Sequence, residues 1–460
     1  MKKVWLVIII VTLFSTNFTE RICAKTVNDG IELTLIPPTK LTDKVNLDIR
    51  AGIINKGKKN QYYKATIYWD KVSKTTSLYS ASFNLLSGKS KSLQKIIPTS
   101  DRLGKHQVIL VVKNRNKTYS EKKDIEVIHS DIRSIKQIAG AWTGIYHWSE
   151  KEGKNWNPAI KSMTDSQWEE LVMAMHKLDM NTIVIQEVFR NQEYVGKHSM
   201  TIENYPGKAF YPSKLYSARM PITAKDPIEA ILTEADKLKM NVFVGVGMYA
   251  WFDYTPTSLV WHKKVAKELW DKYGHHKSFY GFYVSEEGNG GLDAWEKDPT
   301  IANQRKQEMI NFFKEFKSYC RLFAPAKPIM VATNGYDLKK GIDGYPALLK
   351  NVDILCPFGF ARMPKDDLTG VEATTLLQKL CNEANSHLWL DLEAFLFNED
   401  GSLYPRPIKE IIHDLTLFDN FENILCYQFP GVFNDPQMSI RVGEASTIDL
   451  FNNYKKYINK

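Results

Sequence analysis

The chain has 460 residues, 43% of them hydrophobic and 25% charged, with a formal net charge of +9. That length exceeds what one ordinary core fills and implies two domains, one of them large enough to be a barrel. The positive excess is scattered lysine with no basic stripe, which argues against nucleic-acid binding, and no segment is apolar for long enough to span a bilayer.

Taken in chain order, Lys2-Lys3 followed by the apolar run Val4 to Phe14 and polar residues up to Ala24 reads as a signal peptide over residues 1–24. It predicts export to the periplasm, the cell surface or the medium. Cys23 raises lipidation as an alternative, but Glu20-Arg21-Ile22 lacks the small residues expected before a lipoprotein cysteine. The remaining cysteines, Cys320, Cys356, Cys381 and Cys426, fall inside apolar strand-like or helical runs. Their spacing suits neither a disulfide framework nor a metal site and predicts buried free thiols.

Residues 25–130 show short strands broken by turn signals, with no helical period: Ile31–Ile36, Val45–Asn55, Tyr62–Trp69, Ser92–Ile97, Gln107–Val112 and Lys122–Val127. Turns at Asn55-Lys-Gly57 and Arg102-Leu-Gly104 separate them, and the pattern predicts an immunoglobulin-like β-sandwich without the paired cysteines of true immunoglobulins. Few of its residues are candidates for chemistry, so a spacer or packing role is expected.

From residue 131 to 460 apolar strands alternate with amphipathic helices. Strands are expected at Ile138–Tyr146, Thr182–Glu187, Val242–Met248, Gly281–Ser285, Pro328–Thr333, Ile354–Phe358, Leu388–Glu393 and Ile424–Phe429. Helices are expected between them, the first opening with the capping-box spacing Thr164-Asp-Ser-Gln167. Lys177-Leu-Asp-Met-Asn-Thr-Ile-Val184 is echoed by Lys237-Leu-Lys-Met-Asn-Val-Phe-Val244, one helix-to-strand junction used twice. Eight alternations predict an α/β fold, a closed (β/α)8 TIM barrel. A doubly wound sheet would need a glycine-rich phosphate turn after the first strand, and none is present.

In such a barrel the chemistry sits at the carboxyl ends of the strands. Those ends are polar, acidic and aromatic, with no His/Cys/Asp cluster at metal-ligand spacing and no nucleophilic serine motif. Two carboxylates stand out, Glu287 after Gly281-Phe-Tyr-Val-Ser-Glu and Glu393 after Leu388-Trp-Leu-Asp-Leu. Alternation turns Trp389, Asp391 and Glu393 inward in one strand, and Gly281, Tyr283, Ser285 and Glu287 in the other. Glu286 has the opposite parity and enters the site only through a bulge. Aromatic residues near the same ends, Trp142, Tyr146, Trp148, Tyr249, Trp251, Tyr254, Tyr336 and Phe360, are candidate sugar platforms. Glu187, Asn334, Asp391, Tyr427 and Gln428 are candidate polar contacts. A salt bridge in the barrel mouth, with Arg190, Arg362 or Lys365, is the competing role for the acids, Glu187 above all.

These positions resemble the large clan of (β/α)8 glycoside hydrolases, with one glutamate after the fourth strand and another after the seventh. Gly281-Phe-Tyr-Val-Ser-Glu-Glu287 is similar to the clan's Gly-Trp-x-x-x-Asn-Glu pattern, with Phe282 at the tryptophan and Glu286 at the asparagine. The layout also resembles uncharacterised glycosidase-like barrels exported by Bacteroides-type bacteria, often with a β-sandwich. The resemblance covers roughly residues 135–460. It implies an oligo- or polysaccharide substrate, no cofactor and no metal. Glu287 would be the acid/base and Glu393 the nucleophile of a retaining two-glutamate reaction, with Glu286 the alternative acid/base. Because Glu286 replaces the asparagine, a non-catalytic glycan-binding protein on the same barrel is the second expectation. A metal-dependent deacetylase is a distant third.

Overall fold

The computed structural model describes residues 30–115, 117–191 and 198–459. The expected signal peptide and Cys23 lie outside the described residues, as does part of the Asn191–Met220 loop.

The amino-terminal strands form two sheets. Ile31–Ile36, Leu47–Ile54 and Ser90–Ile97 make a three-stranded sheet. Lys40–Thr42, Thr118–Ile128, Gly104–Lys113, Gln61–Trp69 and Ser77–Leu85 make a five-stranded one. Alternate apolar residues such as Leu33, Ile49, Ile53, Ile67, Leu110 and Val127 fill the space between them. Two of these strands escape the sequence reading. Lys40–Thr42 is only three residues long, and Ser77–Leu85 is an edge strand whose outward positions are serines and an asparagine.

All eight expected alternations are present as a closed parallel barrel. The strands are Gly140–Thr143, Thr182–Ile185, Asn241–Gly245, Phe279–Gly288, Ile329–Thr333, Ile354–Leu355, His387–Glu393 and Asn423–Tyr427. The eighth closes on the first through Leu425 opposite Gly140 and Cys426 opposite Ala141. Thr164 and Gln167 form the capping box, each accepting the other's backbone N–H. The repeated junction is real in three dimensions: Asp179 and Lys239 occupy matching left-handed positions at the two helix ends. Cys320, Cys356, Cys381 and Cys426 are buried free thiols. No helix among the described residues is long and apolar enough to cross a membrane.

The sandwich closes the amino-terminal end of the barrel. Along Leu47–Ile54, Leu47, Ile49, Ala51 and Ile53 face the sandwich core, and the intervening side chains meet the barrel. Arg50 donates to Asp48 at 2.8 Å and pairs with Asp353 at 2.7 Å, and Lys317 also pairs with Asp353 at 2.7 Å. A Cβ on Gly52 would lie 2.7 Å from Pro325, so a residue without a side chain is needed at that contact. His387 bridges Asp48 at 3.2 Å and Glu422 at 2.6 Å. Burial opposes charge on His387, but Glu422 and Asp48 outweigh it and its pKa is pushed up to about 9.

A histidine whose folded pKa exceeds its unfolded value of about 6.5 stabilises fully below that value and loses the contribution as pH rises through the folded pKa. Stability should therefore fall between about pH 6.5 and 9, by up to about 3 kcal/mol. Urea unfolding at a series of pH values checks this, and His387→Gln should flatten the dependence. An equal slope in that variant would remove His387 as the cause.

Candidate active site

At the carboxyl end of the barrel lies a cavity of about 300 Å³. The fourth strand enters it by a register shift between Val284 and Gly288. Below the cavity Tyr283 packs edge-on against Trp142, and the Ser285 hydroxyl donates to the Gln186 carbonyl at 2.5 Å. Glu287, two residues on, lines the cavity. Burial, and next the Glu152 carboxylate, push the Glu287 carboxyl up to about 8, against the lowering effect of Arg362 and the Trp251 indole.

The seventh strand delivers Asp391 and Glu393 to the same cavity, above Trp389 in the barrel core. Arg362, from the short turn Phe360–Arg362 after the sixth strand, grips Glu393 with the Nε–Nη2 edge of its guanidinium. Its Nε lies 2.9 and 3.0 Å from the two carboxylate oxygens and its Nη2 lies 2.7 Å from Oε1. Tyr336 orients the arginine, accepting from Nη1 at 2.5 Å and donating to the Arg362 carbonyl at 3.0 Å. Burial, then the charges of Glu393 and Glu287, raise the Asp391 carboxyl well above the usual carboxylate range. Three carboxyl groups, Glu287, Asp391 and Glu393, thus share one cavity.

Aromatic rings wall this floor. Trp148 meets Trp251 edge-on at 5.0 Å, Trp251 stacks with Phe252 at 5.4 Å, and Phe252 meets Trp295 edge-on at 4.8 Å. Phe252, Leu292, Ala294 and Trp295 all have φ between 54° and 64°. The opposite wall comes from a hairpin directly after Glu393, Phe395–Phe397 paired with Leu403–Pro405. The hairpin is tied to the loop after the first strand by Leu403 N–H donating to the Glu152 carbonyl at 3.0 Å and by Lys154 donating to Asp400 at 2.8 Å. Asn334, Phe358 and Tyr427 complete the lining, with the Tyr427 hydroxyl 3.1 Å from Gln186 Oε1 and 3.2 Å from His147 Nδ1.

Of the expected site residues, Trp148, Trp251, Glu287, Asn334, Asp391, Glu393 and Tyr427 line the cavity. Nine others do not. Tyr336 sits behind Arg362, and Tyr254 donates its hydroxyl to the Glu286 carbonyl at 2.5 Å. Glu286 points the other way, as its parity requires: it accepts the Tyr249 and Ala250 N–H groups at 2.6 and 3.2 Å and fastens the loop after the third strand. Glu187 is sealed in an ion pair with Arg190. Trp142 belongs to the barrel core beneath the cavity, and Phe360 packs against Phe418 and Phe421. Tyr249 stacks on Tyr205, with its hydroxyl on the Met200 carbonyl at 2.7 Å. Tyr146 donates to Glu150, and Gln428 is buried against Gly144. Each sits a layer too deep or faces the helices. Glu152, Phe252, Trp295 and the hairpin were missed because they lie on return loops. The apolar repeat Phe395-Leu-Phe397, followed by the turn residues Asn398 to Gly401, was the one signal that could have found the hairpin.

Among solved structures the chain is similar to a candidate α-L-fucosidase of Bacteroides thetaiotaomicron, at 16% identity and TM-score 0.50, covering 72% of this chain and 96% of that one. It is also similar to β-glucuronidase 2 of Bacteroides uniformis, at 12% identity and TM-score 0.43, covering 94% of this chain and 50% of that one. A third, the GH2 β-galacturonidase of Eisenbergiella tayi, has 12% identity and TM-score 0.40, covering 93% and 71%. The chain spans about half the length of the Bacteroides uniformis enzyme. At such identities the likeness speaks to the fold. A search of curated protein sequences returns no match. The model of a domain of unknown function, DUF4434, matches residues 138–440. That match runs from the residues entering the first barrel strand to those beyond the eighth, and the chain belongs to the DUF4434 family.

Proposed function

We propose that the protein is an exported glycoside hydrolase. Glu287 protonates the leaving glycosidic oxygen, and Glu393 attacks the anomeric carbon from the opposite face. Water then enters, gives a proton to Glu287 and releases Glu393 with the sugar hydroxylated at that carbon. One observation carries this reading: a carboxyl raised to about 8 and an arginine-gripped carboxylate share one aromatic-walled cavity at the carboxyl end of the barrel. The aromatic walls suit the apolar faces of pyranose rings, so an oligo- or polysaccharide is the substrate class.

A screen of the purified mature protein against a glycan panel, read as released reducing sugar, tests the proposal. On a cleaved substrate, kcat/KM should hold up to about pH 8 and fall above it, because the acid must be protonated and its raised pKa extends the protonated range. Glu152→Gln removes a charge that raises Glu287 and should move that falling limb to lower pH. A limb that stays in place would show that another group sets it.

The second reading, a glycan-binding protein without turnover, is favoured by the double grip of Arg362 on both Glu393 oxygens and by Glu286 at the asparagine position. Saturable glycan binding with no cleavage across the panel would select it.

A further inference from the structure

A second cluster lies outside the barrel, at the turn leading into the strand that carries Glu287. His275 and His276 occupy the link between the helix Pro256–Tyr273 and the fourth strand, and Glu229 belongs to the helix Pro227–Leu238. One donor atom from each of His275, His276 and Glu229 lies within 4.8 Å of the others. His276 is only 7% exposed, and its buried Nε2 faces Glu229 Oε1 at 3.3 Å without the alignment of a hydrogen bond. Its other nitrogen, Nδ1, lies 2.9 Å from Asp236 Oδ2, and Asp236 is itself held by the Ser278 N–H at 2.7 Å.

We propose that His275, His276 and Glu229 form a binding site for a borderline divalent cation such as zinc, clamping two consecutive helix–strand units together. A carboxylate on Nδ1 fixes the ring so that Nε2 presents its lone pair, the support that metal-ligating histidines generally have. The 3.3 Å between His276 Nε2 and Glu229 Oε1 equals the ligand–ligand edge, about 3.3 Å, of a tetrahedron with bonds of about 2.0–2.1 Å. Two imidazoles and one carboxylate suit zinc better than magnesium or calcium, and water completes the coordination. This site is independent of the sugar chemistry proposed above.

The test is calorimetric titration of ZnCl2 into the chelator-treated, tag-free full-length protein, with circular dichroism confirming that each variant is folded. Saturable uptake of about one equivalent is expected, weakened about tenfold or more in His276→Gln, His275→Ala and Glu229→Gln. If His276→Gln fails to fold, the other two still decide, because His275 is exposed and the Glu229 side chain is 43% exposed. No saturable uptake, or unchanged affinity in the folded variants, overturns the site and leaves His276 as a bridge between Asp236 and Glu229.

Discussion

Glu393→Gln should lower turnover by about three orders of magnitude or more, roughly 4 kcal/mol in the barrier, while the protein stays folded and still binds glycan. The amide keeps the size of the carboxyl group but cannot form or release a glycosyl ester. Arg362 would lose its ionic partner, yet its side chain is 44% exposed and solvent can replace much of that contact, so the stability cost should be small. Glu287→Gln should cost about two to four orders of magnitude, the usual size of a general-acid contribution, and should abolish the falling limb near pH 8. Its loss should be smaller on substrates with good leaving groups, which need less protonation. Turnover equal to wild type in both variants would refute the two-glutamate assignment, and thermal melts of each would exclude unfolding as the cause.

The second large effect is on stability. Arg50→Met should destabilise the protein by about 3–5 kcal/mol, because it leaves buried carboxylates without their counter-ion. Arg50 is 5% exposed and Asp48 is fully buried, and His387 alone cannot replace the guanidinium between Asp48 and Asp353. Burial alone would raise Asp353, but Arg50 and Lys317 hold its carboxyl well below the usual range. Removing the arginine reverses that balance, and the loss should therefore be greatest at neutral pH and shrink in acid, where the carboxylates take up protons. Urea unfolding at pH 7 and pH 4.5 measures both. A loss below about 1 kcal/mol at pH 7 would mean that Lys317 and His387 carry the network unaided.

The barrel was legible because eight apolar runs recur with helices between them, and parallel strands buried on both faces leave that mark. Parity also separated Glu287 from Glu286 before any coordinates, since neighbouring residues on a strand face opposite ways. Depth was not legible. Trp142 and Trp148 both stand near the end of the first strand, yet one fills the barrel and the other walls the cavity. Nor can strand ends reveal which loops return to the mouth. Arg362 was one of three basic candidates until the turn after the sixth strand placed it on Glu393, and Glu152 had no signal that set it apart from other loop acids.

The four residues at positive φ beside the aromatic wall bear on how a sugar would be met. Holding a non-glycine residue there costs about 1 kcal/mol or more, which the packing around Phe252 and Trp295 must offset. Backbone held in so narrow a region leaves the two rings little freedom to lose, so a sugar docking on them would freeze little of the two loops. Ordering entropy already spent in folding is subtracted from the cost of association, which raises the affinity that a given set of ring contacts can deliver.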